Sequence, residues 1–73
     1  MDADNLVRMA NRIGDFFEAM PDRAEALEGI ATHIRKFWDP RMRGQFLALV
    51  DAGEDQLKPI VRDAVTTHRA RLT

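Results

Sequence analysis

The 73-residue sequence contains no cysteine, no tyrosine and no serine. Without cysteine, the chain cannot form disulfides or hold a metal through thiolates. Its two histidines, His33 and His68, stand in no ligand-spaced motif, so a structural zinc site is not expected. A domain this short buries only about 60% of the surface that its unfolded chain exposes. Because the usual cross-links are missing, we expect oligomerisation or docking onto a larger protein to supply extra stability.

Side chains that perform catalysis are equally scarce. Threonine supplies the only hydroxyl groups, and no threonine stands in a recognisable arrangement with a base. The four glycines are scattered and form no phosphate-binding loop. The adjacent acids Glu54 and Asp55 fall at a predicted helix start, where the helix dipole favours carboxylates. The sequence therefore predicts that the chain by itself is not an enzyme and binds no cofactor or metal.

The distribution of charge limits the classes of partner. A net charge of −1 argues against a general nucleic-acid-binding protein, which is normally strongly basic. Positive charge is nevertheless concentrated in residues 29–50, which carry four basic side chains and one acidic side chain. No apolar run approaches the ~20 residues that span a bilayer, and no charged segment followed by an apolar one marks a signal peptide. We expect a soluble, cytoplasmic protein that binds neither nucleic acid nor membrane.

Apolar residues recur at helical spacing along the whole sequence, which predicts an all-α fold. We expect one domain, residues 1–73, formed by a small compact bundle of three to four short amphipathic helices at about 4–19, 23–38, 40–52 and 56–70. The apolar face of the first helix is predicted to be Leu6, Met9, Ala10, Ile13, Phe16, Phe17 and Met20.

The predicted helix ends rest on capping residues. Asp2 or Asp4, Asp22, Asp39 and Asp55 are the expected N-caps, and Gly53 is the expected left-handed stop of the third helix. The start of the last helix has two interpretations: either Pro59 lies within its first turn, or Pro59 is its first residue and Leu57 belongs to the loop. The polar tail HRARLT (residues 68–73) is expected to fray.

The segment HIRKFWDPRMR (residues 33–43) carries the candidate binding residues. Arg41 and Arg43 would lie at the positive end of a helix dipole, so they either bind a partner group or are simply solvated. A chain this small is not expected to bury both of its aromatic pairs, Phe16/Phe17 and Phe37/Trp38, although Trp38 is expected mainly in the core. His33 is expected to be a packing histidine at the edge of its helix face, with Phe37 beside it at that margin and Phe16 at the matching margin of the first helix. The predicted partner-binding set is Phe16, His33, Phe37, Trp38, Arg41 and Arg43.

Three blocks of the sequence carry a family resemblance: NLVRMANRIGDFF (5–17), HIRKFWDPRMR (33–43), and DAG (51–53) followed by LKP (57–59). Together they resemble the delta subunit of soluble, NAD-dependent, molybdenum-containing formate dehydrogenases. The resemblance implies a cofactor-free accessory chain that supports assembly, cofactor loading or stability of the molybdenum-bearing catalytic subunit. It also implies that other subunits hold the molybdenum cofactor, iron–sulfur clusters, FMN and NAD.

Two other functions remain open from the sequence. The tight turn at Asp39-Pro40, followed by Arg41 and Arg43, is compatible with a helix-turn-helix nucleic-acid-binding module, although the net charge of −1 argues against it. Alternatively, the isolated chain self-associates as a homodimer whose aromatic margins meet.

Overall fold

The computed structural model describes residues 2–73, and all regular structure in that range is helical. The helices are α1 (Ala3–Glu18), α2 (Arg23–Phe37), α3 (Pro40–Asp51), α4 (Pro59–Thr67) and α5 (Arg69–Leu72). α2 packs against α1, α4 and α5, and α1 also packs against α3 and α4. The predicted all-α class and small bundle are confirmed. Among these helices, none is long and apolar enough to cross a membrane.

Three aspartates begin the first three helices. The side chains of Asp2, Asp22 and Asp39 accept hydrogen bonds from the backbone N–H three residues ahead, at 2.8, 3.2 and 2.9 Å. Each bond satisfies a helix-terminal N–H that has no partner within its own helix. Pro40 occupies the first turn of α3, where its missing N–H costs nothing.

The third helix ends in a Schellman motif at Gly53. Gly53 has a φ of +80°, a conformation that side chains with a Cβ rarely adopt. Its N–H donates to the Val50 carbonyl at 3.0 Å, and the Glu54 N–H donates to the Leu49 carbonyl at 3.1 Å. The predicted left-handed stop is therefore present.

The start of α4 follows the later of the two predicted starts. α4 begins at Pro59, so the expected cap at Asp55 is wrong and Leu57 belongs to the loop, where it is buried. Asn11 of α1 fixes this loop instead. Its side-chain oxygen accepts from the Lys58 N–H, and its side-chain nitrogen donates to the Gln56 carbonyl, both at 2.9 Å. A distant amide thus fixes the backbone just before α4, although no side chain caps the first turn of the helix.

The polar tail is docked, so the expectation that it frays is wrong. The chain breaks its helix at His68 and continues as α5, whose Leu72 is 1% exposed. Arg69 donates two hydrogen bonds, of 2.6 and 2.8 Å, to the Asp51 carboxylate on α3. Burial of a single leucine, together with this bidentate pair, holds a short segment that has little helix propensity to hold itself.

The buried face of α1 is rotated from the predicted one. Val7 and Gly14 are buried, whereas Phe16 is exposed. A Cβ at Gly14 would lie 2.7 Å from Cγ2 of Val61, so the missing side chain allows α1 and α4 to approach closely. This contact places Gly14 at the centre of the buried face and turns Phe16 toward solvent.

Candidate partner-binding surface

Arg43, one of the two arginines left unexplained by the sequence, has a structural partner within the chain. Its Nη1 donates to the carbonyl of Trp38 at 2.7 Å and to the carbonyl of Arg35 at 3.3 Å. These carbonyls belong to the last turn of α2, where a cation is favoured. Arg43 is therefore explained by packing across the α2–α3 corner, which corrects the interpretation that it is free for a partner.

Trp38 also belongs to the interior. It is 5% exposed, and its ring meets the ring of Phe46 edge to face with centroids 5.3 Å apart. This position agrees with the expectation that Trp38 lies mainly in the core. A buried ring does not agree with the inclusion of Trp38 among the partner-binding candidates. Burial of Trp38 leaves its neighbour Phe37 on the outside of α2, about 100° around the helix.

Phe16 and Phe37 are the exposed large hydrophobic residues of the described chain, at 73% and 70% exposure. A line of ring contacts connects them: Phe16 to Phe17 at 5.0 Å, Phe17 to His33 at 6.4 Å, and His33 to Phe37 at 4.8 Å between centroids. Ile13 and Met20, which are partly buried, extend this surface. These residues, Ile13, Phe16, Phe17, Met20, His33 and Phe37, are called the aromatic face.

The backbone of α2 shapes the aromatic face through Gly29. A Cβ at Gly29 would overlap the ring of Phe17, so only glycine leaves space for that ring to lie across α2. Phe17 thereby fills the gap between α1 and α2 and supports His33 edge to face. Phe16, the adjacent residue on α1, must then point away from the core.

Charged side chains line the groove along the aromatic face, with opposite signs toward its two ends. Arg12 lies beside Phe16, and Lys36 lies beside Phe37. Glu25 and Glu28 lie toward Met20, near the turn that joins α1 to α2. In the part of the chain that the structure describes, none of these four side chains forms an ion pair. The groove therefore has a basic end and an acidic end.

Arg41 stands apart from Arg43. It is exposed in the first turn of α3, and its side chain forms no hydrogen bond or ion pair within residues 2–73. The helix-turn-helix interpretation rested on both arginines at the start of its second helix. Because Arg43 is bound to the end of α2, that interpretation keeps only Arg41.

Sequence reasoning placed Phe16, His33 and Phe37 at the margins of the helix faces, and the structure brings these three together. It missed Phe17 and Met20, which were assigned to the core, and the charges at the two ends of the groove. Helical periodicity could not place Phe17, because its ring lies across α2 only where Gly29 leaves space for it. Gly29 was the available signal, since a glycine in mid-helix often marks a close approach.

The aromatic face offers exposed aromatic rings and unpaired charges. Exposed aromatic residues beside arginine are typical of residues that dominate protein–protein binding. Residues 2–73 contain no group of three or more His, Cys, Asp or Glu side chains placed to hold a metal ion. The chain is thus a small helical bundle with one exposed apolar surface.

A family model described as NADH-dependent formate dehydrogenase delta subunit, FdsD, matches residues 5–65, and the chain belongs to that family. The match confirms the resemblance seen in the three sequence blocks. A search of curated proteins and a search of solved structures returned no significant match.

Proposed function

We propose that the chain is a non-catalytic accessory subunit that docks through its aromatic face on the molybdenum-bearing catalytic subunit of NAD-dependent formate dehydrogenase. There it supports assembly, cofactor loading or stability of that subunit. The molybdenum cofactor, iron–sulfur clusters, FMN and NAD are held by other subunits in this proposal. The family match makes a formate dehydrogenase complex the setting, and the exposure of Phe16 and Phe37 is the observation that carries the docking role.

The exposure of the two phenylalanines is costly unless something covers them. Removing a phenylalanine side chain from water is worth about 1.5–3 kcal/mol, yet each ring here keeps about 70% of its surface in solvent. Polar residues at both positions would leave the core undisturbed. The presence of two large rings on one continuous surface therefore supports a contact with another protein.

Arg41 supplies a second, polar element of the proposed contact. It lies in the first turn of α3, where the helix dipole disfavours a cation, and it forms no ion pair with a carboxylate of the described residues. A carboxylate or a carbonyl cluster on the catalytic subunit would do so. Arg43 has no such role here, because the end of α2 already occupies it.

Substitution of the two exposed rings tests the docking role. The complex should be produced with the wild-type chain, with Phe16→Ala/Phe37→Ala, and with a control, Gln45→Ala/Asp55→Ala, which changes exposed residues away from the aromatic face. We expect the aromatic variant alone to reduce the amount of this chain that co-purifies with the catalytic subunit. Arg41→Ala should have a smaller effect in the same direction.

Three measurements on the same preparations separate the possible forms of support. Subunit stoichiometry reports assembly, molybdenum content reports cofactor loading, and the rate of heat inactivation reports stability. The KM for formate and the kcat per bound molybdenum should stay unchanged, because the chain takes no part in the chemistry. A complex with Phe16→Ala/Phe37→Ala that matches the wild type in all three measurements would overturn the proposal.

A further inference from the structure

The aromatic face has a charge pattern that is complementary to itself. Lys36 and Arg12 form its basic end, and Glu25 and Glu28 form its acidic end. Lys36 comes eight positions after Glu28 in α2, which places the two residues about 12 Å apart along the helix axis at 1.5 Å per residue. We infer that, in the absence of other subunits, a second copy of this chain occupies the groove in an antiparallel, two-fold arrangement.

Two-fold symmetry makes this arrangement possible. In such a dimer the same surface is used by both copies, and the direction of one is reversed over the other. The basic end of each copy then lies over the acidic end of its partner, so every favourable charge contact occurs twice. A parallel arrangement would instead place Lys36 over Lys36 and Glu28 over Glu28, which is repulsive.

The shape of the groove fits the same arrangement. The exposed ring of Phe37 lies at the basic end beside Lys36, and the exposed ring of Phe16 lies near the middle of the groove, four residues from both Arg12 and Met20. Met20 lines the acidic end with Glu25 and Glu28. Reversal of the second copy places its Phe37 over the acidic end of the first, which carries Met20 and no large exposed ring, and brings the two Phe16 rings together near the middle of the contact. Both pairs of phenylalanines are then covered by one contact.

The size of the chain limits how tight such a dimer is. A standard interface buries about 800 Å² on each partner, which is close to a fifth of this chain's accessible surface of 4485 Å². The molecule measures 32 × 22 × 18 Å, so one broad face must supply nearly all of that area. We therefore expect a reversible dimer whose population rises with concentration and falls with salt.

Charge-reversal substitutions at the two ends of the groove test the arrangement. Sedimentation velocity on the full chain, from low micromolar to millimolar concentration, should show a monomer–dimer equilibrium. Glu28→Lys and Lys36→Glu should each weaken dimerisation at least about tenfold, because each creates two like-charge contacts. An equimolar mixture of the two variants should recover dimer. In that heterodimer, the Glu28→Lys copy is basic at positions 28 and 36, and the Lys36→Glu copy is acidic at both positions. Each basic side chain then lies over an acidic one.

Two controls carry the same charge changes outside the groove. Asp55→Lys and Arg8→Glu alter exposed residues that do not line it, and they should dimerise like the wild type. Circular dichroism should confirm equal helix content in all variants. A wild-type chain that stays monomeric at every concentration, or a mixture that does not recover dimer, overturns the inference.

The inference and the proposed docking can fail separately. Self-association is measured on the isolated chain, whereas docking is measured by co-purification with the catalytic subunit. A monomeric wild type leaves docking standing, and a loss of docking leaves the dimer standing. If both hold, the dimer covers the aromatic rings until another subunit binds them, a consequence that rests on the proposed function.

Discussion

The guanidinium of Arg43 donates a 2.7 Å hydrogen bond to the backbone carbonyl of Trp38, the C-cap residue of α2. A side chain near the start of α3 thus donates hydrogen bonds to backbone carbonyls at the end of α2, which have no partner within their own helix. The two helices are joined by a two-residue turn, Trp38-Asp39, in which Asp39 caps α3 and Arg43 caps α2. The corner is therefore closed by hydrogen bonds from both sides.

Replacement of Arg43 is expected to destabilise the fold, whereas replacement of Arg41 is not. Arg43→Ala removes a part-buried, charge-assisted bond to the Trp38 carbonyl and a longer, exposed one to the Arg35 carbonyl, and should lower the free energy of unfolding by about 1–3 kcal/mol. Arg41→Ala changes a solvated side chain, and its effect should lie within about 0.5 kcal/mol of zero. Urea unfolding of both variants measures the difference. Equal losses from the two substitutions would contradict the assignment of Arg43 to the corner.

Two glycines in helices are expected to respond oppositely to alanine. At Gly14 the added methyl would lie 2.7 Å from Cγ2 of Val61, a stiff β-branched side chain, so Gly14→Ala should cost about 1–3 kcal/mol. Gly44 has no atom within 4 Å of the added carbon, so Gly44→Ala should gain about 0.5–1 kcal/mol through helix propensity. Denaturant unfolding with the same baseline treatment checks both. A stabilising Gly14→Ala would show that α1 and α4 are less closely packed.

The parts of this fold that could be predicted from sequence are those decided within about four residues. Asp39-Pro40 begins a helix and Gly53 ends one because the groups that they satisfy belong to the same turn. The conformation of the loop before α4 is fixed by a contact that is distant in sequence. Asn11 holds it from a distant helix, so the local capping rule selected Asp55 and was wrong.

The residues of the candidate surface also divide into those that local periodicity could predict and those that depend on distant contacts. Helical periodicity put Phe16 and Phe37 at the edges of their predicted faces, because one residue's turn of 100° is a local property. Phe16 instead lies outside the buried face of α1, which is rotated from the predicted one. Periodicity could not decide which arginine was occupied, since the acceptors of Arg43 are the carbonyls at the end of another helix. Nor could it assign Phe17, whose position depends on the space left by Gly29.

The ion pair between Asp51 and Arg69 is expected to make stability depend on pH. The two hydrogen bonds from Arg69 lower the pKa of the Asp51 carboxyl in the folded chain below its unfolded value. The resulting stabilisation is present at neutral pH and is lost as the pH falls from about 5 through the lowered pKa. Asp51→Asn should therefore be slightly less stable than the wild type at pH 7, because both side chains are exposed and solvent screens the pair.

The measurement for this pair is a comparison of unfolding free energies across pH. The difference between wild type and Asp51→Asn should shrink as the solution is acidified, because the wild-type carboxylate becomes protonated. Asp55→Asn is the matched control: Asp55 forms no ion pair within residues 2–73, so its difference from the wild type should be near zero at neutral pH. An Asp51→Asn difference that is constant down to acid pH would show that the pairing of the ionised Asp51 carboxylate with Arg69 adds no stability.

Leu72 is expected to be the residue that holds the tail. It is 1% exposed although it stands next to the end of a polar segment, so burial must outweigh the entropy cost of ordering α5. Leu72→Ala should lower the free energy of unfolding by about 2–5 kcal/mol, toward the lower end if the tail simply detaches and water fills its place. Thr73→Ala changes an exposed neighbour and should leave the free energy of unfolding within about 0.5 kcal/mol of the wild type.

Hydrogen exchange separates the two ways of losing stability. A detached tail exposes only the amides of α5, whereas loosening of the core also exposes the amides of α2, against which α5 packs. A Leu72→Ala variant as stable as the wild type would mean that the tail contributes no net stability to the bundle.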